Sequence, residues 1–280
     1  MSAALISTWS FYYNGLCRTI DDFLVIVYFC DVLPVYFTVH RPSGGEPKGN
    51  LQRLVNTLYD LSRRGGLPFL QIRCIEERFL EEFEAVEGYA VKTEYRENDN
   101  EYAYRTEDFL DLKGTVNLNK RQRLTKLFKQ GNISFRPITN KEAGLCLEIE
   151  DEWCRDKDCD FCASFMGCER KALENMVDIF DERFYKGLFL CCDGIPTGYG
   201  IGEIINPRTG IVYFAKSPMQ NHFLYILYMI TKTFFICLEY INLDSDVGNQ
   251  GIRTFKRHLG VYELWRKYIC TFTKPEDQNR

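Results

Sequence analysis

The chain has 280 residues, 45% hydrophobic and 26% charged, enough for one large domain or two small ones and too apolar for a disordered segment. A net charge of −4 excludes a protein that coats nucleic acid through overall basicity. No basic stretch followed by a long apolar core opens the sequence, so a cytoplasmic setting is expected, with the twelve cysteines mostly reduced.

In chain order, residues 23–29 and 35–39 read as a hairpin. Leu51, Leu54, Val55, Leu58 and Leu61 mark a helix, 69–75 a strand, and Phe79, Leu80, Phe83 and Val86 a second helix. Strands are expected at 89–93 and 102–104. Between Lys113 and Arg136 lie seven basic residues and no acidic one, a cationic stripe on an otherwise acidic chain.

The second half is clearer. A strand at 133–138 precedes two helices, one marked by Leu145, Cys146, Ile149 and Trp153, the other by Leu173, Met176, Val177, Phe180 and Phe184. Strands at 188–192, 195–205 and 211–215, joined by turns at Asp193-Gly194 and around Asn206-Pro207 and Gly210, form an antiparallel meander. Residues 222–240 are almost long and apolar enough to span a bilayer. Lys232 in their middle and Glu239 near their end favour a buried helix running into a buried strand at 238–243. A helix at 250–258 and a strand at 268–272 close the pattern, and the polar stretch 274–280 reads as a flexible tail.

Strand, two helices, three antiparallel strands, helix, strand, helix, strand is the order of the N-acetyltransferase-like fold, and the first half echoes part of it. The fold class expected is therefore α/β (α+β): tandem N-acetyltransferase-like domains with mixed, mainly antiparallel sheets flanked by helices. The division expected is a shortened first domain over 1–112, a basic linking helix over 113–132, a second domain over 133–273 and the tail. The opening strand and helices of the first copy are missing or reduced to residues 1–16.

The segment YRTEDFLDLKG at 104–114, with Lys120-Arg121 and Phe128 beyond it, resembles a signature of the phosphatidylglycerol lysyltransferase C-terminal domain family. Glu152-Trp153-Cys154, Tyr240-Ile241-Asn242, Asp246, Gly248, Gly251 and Arg253 fall where that family has similar residues. Two positions depart from it: Ala215-Lys216 where the family commonly has Glu-Lys, and Leu243 where it has Arg after the Asn. The resemblance implies transfer of an aminoacyl group from aminoacyl-tRNA to a lipid headgroup or small nucleophile. Such an ester is already activated, so positioning and oxyanion stabilisation supply much of the rate. That suits a chain with three histidines and no nucleophile motif.

Three groups of residues are candidates. Lys120, Arg121, Arg123, Lys126 and Lys129 lie along one helix, where cations either bind the phosphates of tRNA or of an acidic lipid surface, or form a solvated face. Lys216, Asn242, Asp246, Arg253 and Lys256 sit at strand ends and on the following helix, where they either orient substrate or cap that helix and face water. Cys154, Cys159, Cys162 and Cys168 have the spacing C-x4-C-x2-C-x5-C. They either close a structural zinc site, hold an iron–sulfur cluster, or are reduced thiols in a chain that uses cysteine freely.

Acetyl-CoA is the less favoured donor. A CoA-dependent enzyme of this fold places a glycine-rich turn after the fourth strand to meet the pyrophosphate, and here the turn reads Ser217-Pro218-Met219-Gln220-Asn221-His222-Phe223. A CoA-dependent N-acyltransferase and a non-catalytic protein that binds RNA or acidic lipid are the competing classes. Any lipid acceptor would be met peripherally.

Overall fold

The structure is a computed structural model that describes residues 14–30, 33–40, 50–112, 117–129, 131–156, 169–219 and 222–277. The first half gives β1 (Asn14–Ile20), β2 (Phe23–Cys30), β3 (Leu33–His40), α1 (Leu51–Arg64), β4 (Leu70–Glu76), α2 (Leu80–Glu84), β5 (Ala90–Tyr95), β6 (Glu101–Arg105) and α3 (Thr106–Asp111). The basic helix α4 (Leu118–Phe128) follows. The second half gives β7 (Ile133–Pro137), α5 (Leu145–Asp156), α6 (Glu169–Asp178), β8 (Tyr185–Cys192), β9 (Ile195–Asn206), β10 (Thr209–Lys216), α7 (His222–Ile230), β11 (Tyr240–Asn242), α8 (Gln250–His258), β12 (Glu263–Trp265) and β13 (Lys267–Thr273).

These strands form two mixed, mainly antiparallel sheets flanked by helices. One has the order β1-β2-β3-β4-β13-β5, the other β12-β6-β11-β10-β9-β8-β7. Written from the opposite edge, the second is β7-β8-β9-β10-β11-β6-β12, so from β8 onward it matches the first position for position. The repeat is therefore real, and it contains a reciprocal exchange: β6, from the first half, lies between β11 and β12, while β13, from the second half, lies between β4 and β5. Sheet membership thus cuts across the chain order, and the strand expected at 268–272 belongs to the first sheet. Periodicity reports which residues form a strand and carries no information on which neighbour it pairs with. β1, which pairs along its whole length with β2, takes the place that β8 has in the second sheet, and among the described residues no strand of the first sheet stands in the place of β7.

Each sheet has one parallel pair between otherwise antiparallel neighbours. β3 and β4 share two residue pairs, Phe37↔Ile72 and Thr38↔Arg73. β10 and β11 share three, Thr209↔Tyr240, Gly210↔Ile241 and Ile211↔Asn242. Beyond Ile211, β10 runs on to Lys216 hydrogen-bonded to β9 alone. The two strands therefore part at their carboxyl ends, the place where open α/β sheets receive ligands.

The first sheet buries Phe37, Leu70, Ile72 and Phe272 against Leu54, Val55 and Leu58 of α1. The second is covered on both faces. Tyr199, Ile201 and Phe189 pack with Cys146, Ile149, Leu173 and Met176 of α5 and α6, while Tyr225, Ile226 and Ile230 of α7 join the cluster on the other face. On that face β9 carries glycines, and a Cβ at Gly200 would stand 2.5 Å from Ile226 Cγ2. The absent side chain is what brings the helix onto the strand. After α7 the chain makes a π-helical turn, Thr231–Phe235, and among the described residues no helix is long and apolar enough to cross a membrane.

Candidate functional site

The opening between β10 and β11 has two walls. On the β10 wall, Lys216 Nζ lies 2.6 Å from a Glu169 carboxylate oxygen, at the start of α6, and 3.9 Å from the centre of the Trp153 ring on α5. One helical turn before Trp153 is Glu150, only 1% exposed. Its Oε2 accepts a 2.6 Å hydrogen bond from the Tyr199 hydroxyl of β9, the strand residue paired with Lys216. Among the described residues its Oε1 has no hydrogen-bond partner.

Electrostatics on this wall follow from burial and from the pairing. Burial alone would lower the Lys216 pKa, but the Glu169 and Glu150 carboxylates outweigh it and hold the ammonium above its ordinary value. Glu150 goes the other way: burial raises its pKa, and Lys216 and the Tyr199 hydrogen bond only partly offset this.

The β11 wall is a tight turn built from side chains that accept backbone N–H groups. Asn242 Oδ1 takes the N–H of Asp244 at 2.7 Å, Asp244 Oδ1 that of Ser245 at 2.7 Å, and Asp246 Oδ1 that of Gly248 at 2.8 Å. Asn249 then caps α8 by accepting from Ile252 N at 3.0 Å. Asp246, fully buried, accepts from Arg253 Nε at 2.7 Å and from the Tyr102 hydroxyl. Lys256 Nζ donates to the carbonyls of Leu243, Asp244 and Ser245 at 2.6, 3.2 and 2.6 Å.

The structure therefore gathers Asn242, Asp246, Arg253 and Lys256 into one network and sets Lys216 opposite them. The network fixes the turn that keeps β11 away from β10. Burial lowers the Lys256 pKa. Burial also works to raise that of Asp246, but the hydrogen bonds from Arg253 and Tyr102 outweigh it and leave the carboxylate below its ordinary range. Glu169 acts electrostatically on both Lys216 and Lys256 and works to raise the pKa of each.

Behind the turn the exchanged strands contribute two more charges. Glu101 of β6 accepts from Asn242 Nδ2 at 2.7 Å and pairs with Lys267 of β13 at 2.9 Å. The Glu101 side chain stays 27% accessible.

Several side chains of the site escaped the sequence reading, among them Glu101, Tyr102, Glu150, Glu169, Tyr199 and Lys267. Glu150 falls on the apolar stripe of α5, one turn after Cys146 and beside Ile149, and an acid inside an apolar stripe was the available signal. Tyr102 and Glu101 sit on a strand whose place in the second sheet no local pattern shows.

The cationic helix α4 anchors itself with Leu124 and Leu127, both buried, and with the Tyr225 hydroxyl, which donates to Arg123 O and accepts from Leu127 N. Lys120 and Arg121 are half-buried and donate to Asn117 Oδ1 and to the Leu112 carbonyl. Arg123, Lys126 and Lys129 point outward, and among the described residues none of the three makes an ion pair. Cys154 is half-buried on α5; Cys159, Cys162 and Cys168 lie outside the described residues, and so does the metal site they were expected to form.

The sequence profile of the family described as phosphatidylglycerol lysyltransferase, C-terminal, matches residues 4–220. The chain belongs to that family. No curated protein matches it. Among solved structures, a conserved protein of unknown function from Bacteroides thetaiotaomicron superposes with a TM-score of 0.85 at 23% identity, covering 96% of this chain and 90% of that one. The C-terminal domain of a protein assigned as a lysylphosphatidylglycerol synthetase from Agrobacterium fabrum gives 0.66 at 12% identity, covering 99% and 89%. L-PGS from Bacillus licheniformis gives 0.60 at 10% identity, covering 98% and 92%. At these identities the likeness is one of fold.

Within the lysyltransferase C-terminal family the two departures noted in the sequence have a common setting. Ala215 and Leu243, 6% and 7% exposed, belong to the same apolar cluster. Two positions of opposite charge in the family pattern are thus replaced here by two packed hydrophobic side chains, which leaves no unpaired charge behind.

Proposed function

We propose that this member of the lysyltransferase C-terminal family transfers an aminoacyl group from aminoacyl-tRNA to an acidic lipid headgroup or a small nucleophile. The observation that carries the reading is the Lys216 ammonium, fixed by Glu169 and Trp153 at the open ends of β10 and β11. A cation held rigidly in a half-dry cleft stabilises an oxyanion without reorganising. In the reaction, the acceptor oxygen or nitrogen bonds to the ester carbonyl carbon, and negative charge develops on the carbonyl oxygen beside Lys216. Collapse breaks the bond to the terminal ribose, which leaves with a proton while the acceptor loses one. Arg123, Lys126 and Lys129 supply outward cations for tRNA phosphates.

The turn after β10 favours this donor over acetyl-CoA. Ser217 Oγ already accepts from Met219 N at 3.2 Å and donates to Thr197 O at 2.8 Å, and Pro218 has no N–H to offer a pyrophosphate. The apolar Ala215 and Leu243 favour, as a second reading, a protein that binds RNA or acidic lipid without turnover. The two readings separate in a transfer assay with Lys216→Ala and Lys216→Arg. Transfer that falls at least about a hundredfold in Lys216→Ala, with partial return in Lys216→Arg, supports the enzyme. Absence of transfer by the native protein, with RNA binding intact, supports the binder.

A further inference from the structure

We infer that Glu150 is the receptor for a free ammonium group on the acyl moiety, so that the site selects aminoacyl over simple acyl donors. The inference rests on the aminoacyl-transfer reading and specifies which chemical feature of the donor this chain reads.

Buried polar atoms in folded proteins almost always have partners, and a buried carboxylate oxygen without one calls for an explanation. Glu150 Oε1 is such an atom, on a side chain that a helix places on the core face, beside the acid–base pair of the β10 wall. Among the described residues, the titratable groups that act on Glu150 are Lys216 from β10, Glu169 from α6, Tyr199 from β9, and Asp151 and Cys146 of its own helix. Lys216 is committed to Glu169 at 2.6 Å, and the Tyr199 hydroxyl serves Oε2. Glu150 and Glu169 against the one ammonium of Lys216 leave a single negative charge when both acids are ionised. A ligand ammonium donating to Oε1 satisfies the orphan atom and brings the wall to neutrality. The Trp153 ring, already against Lys216 Nζ, adds a face that favours cations.

A neutral acyl group offers Oε1 no donor, so nothing offsets the burial that disfavours the Glu150 carboxylate. An ammonium ligand favours the carboxylate, so its binding shifts Glu150 toward the ionised form and releases a proton from the protonated fraction. Because burial raises the Glu150 pKa, affinity for the cation should increase as pH rises through that raised value, where the carboxylate forms without cost to the ligand.

The test uses the intact protein, with alaninamide as probe and lactamide, which has a hydroxyl in place of the ammonium, as its control. Calorimetric titration in two buffers of different ionisation enthalpy should show alaninamide binding at least about tenfold tighter than lactamide, with proton release. In Glu150→Gln the preference and the proton release should vanish, whereas in Tyr199→Phe, which keeps the carboxylate, the preference should persist. Equal binding of the two amides, no binding of alaninamide, or a preference retained in Glu150→Gln would overturn the inference. If Glu150→Gln does not fold, the native protein's amide preference and proton release decide alone. Failure of the underlying reading looks different: alaninamide binds through Glu150, but no aminoacyl-tRNA serves as donor. Transfer that ignores acetylation of the donor's amine leaves the reading standing and removes the inference.

Discussion

Lys267 on β13 lies 2.9 Å from Glu101 on β6, and each of these strands has left its own half of the chain for the sheet of the other. The pair therefore sits where the exchanged strands pass, and Asn100 reinforces the crossing by accepting the Lys267 N–H at 3.1 Å. Burial works to raise the Glu101 pKa, but the Lys267 ammonium and the Asn242 hydrogen bond outweigh it and leave the carboxylate below its ordinary range. Lys267 is shifted upward because its acidic neighbours outweigh its burial.

The pair's contribution to stability is consequently full between roughly pH 4.5 and pH 10, the unfolded values of the two groups. It is lost in acid as pH falls through the depressed Glu101 value. Urea denaturation of Glu101→Gln should show a loss of roughly 3 kcal/mol at neutral pH, because Lys267 is left buried without its partner. The deficit should shrink below about pH 4. A deficit that stays constant into acid would refute the role given to the pair.

The same exchange predicts that the halves do not fold separately. A fragment ending at Leu112 lacks β13, which stands between β4 and β5, and a fragment starting at Asn132 lacks β6, which stands between β11 and β12. Expressed alone, each should show poor amide protection and aggregate through its open strand edges. Expressed together, they should co-purify as a folded complex. A stably folded first fragment on its own would contradict the topology.

At Gly200 the close approach of α7 to β9 leaves no space for a methyl group, with Ile226 Cγ2 2.5 Å from an ideal Cβ. Gly200→Ala should cost roughly 1–3 kcal/mol by overpacking. Ile226→Ala, which removes Cγ2, should cost less in the Gly200→Ala protein than in the native one, a coupling that a double-mutant cycle in urea measures directly.

Removing the outward cations of α4 should act on RNA binding and not on folding. Arg123→Ala, Lys126→Ala and Lys129→Ala together should leave urea stability within about 0.5 kcal/mol of the native protein. The slope of log affinity for tRNA against log salt should fall by about 2 units. Leu124→Ala, on the buried side of the same helix, should do the reverse, destabilising by about 2–5 kcal/mol.

Much of the fold was legible because periodicity and turn residues mark elements locally. The meander of β8, β9 and β10, the helix capped at Asn249 and the apolar helix after Asn221 all lie near where the spacing put them. What stayed hidden was pairing between distant segments. Nothing in the alternation of β13 distinguishes a place beside β4 from one beside β11, and α3 and β12 are too short to carry a period. The site was half legible for the same reason. Lys216, Asn242, Asp246, Arg253 and Lys256 were singled out from their places at strand ends and on the following helix and from the resemblance, but their division into a turn-fixing network and a separate ammonium depends on three-dimensional contacts. Glu150 required noticing a single acid among hydrophobic neighbours.

The central claim is that the donor is an aminoacyl-tRNA, and its most direct test offers both donor classes to the same protein. Purified protein is incubated with a pool of radiolabelled aminoacyl-tRNAs or with radiolabelled acetyl-CoA, in each case with phosphatidylglycerol vesicles and cell extract, and label is followed into lipid and small-molecule fractions. Label passing from tRNA, but not from acetyl-CoA, into an acceptor fraction, and lost in Lys216→Ala, is the predicted result. Label passing from acetyl-CoA alone, or from neither donor while tRNA still binds, would contradict it.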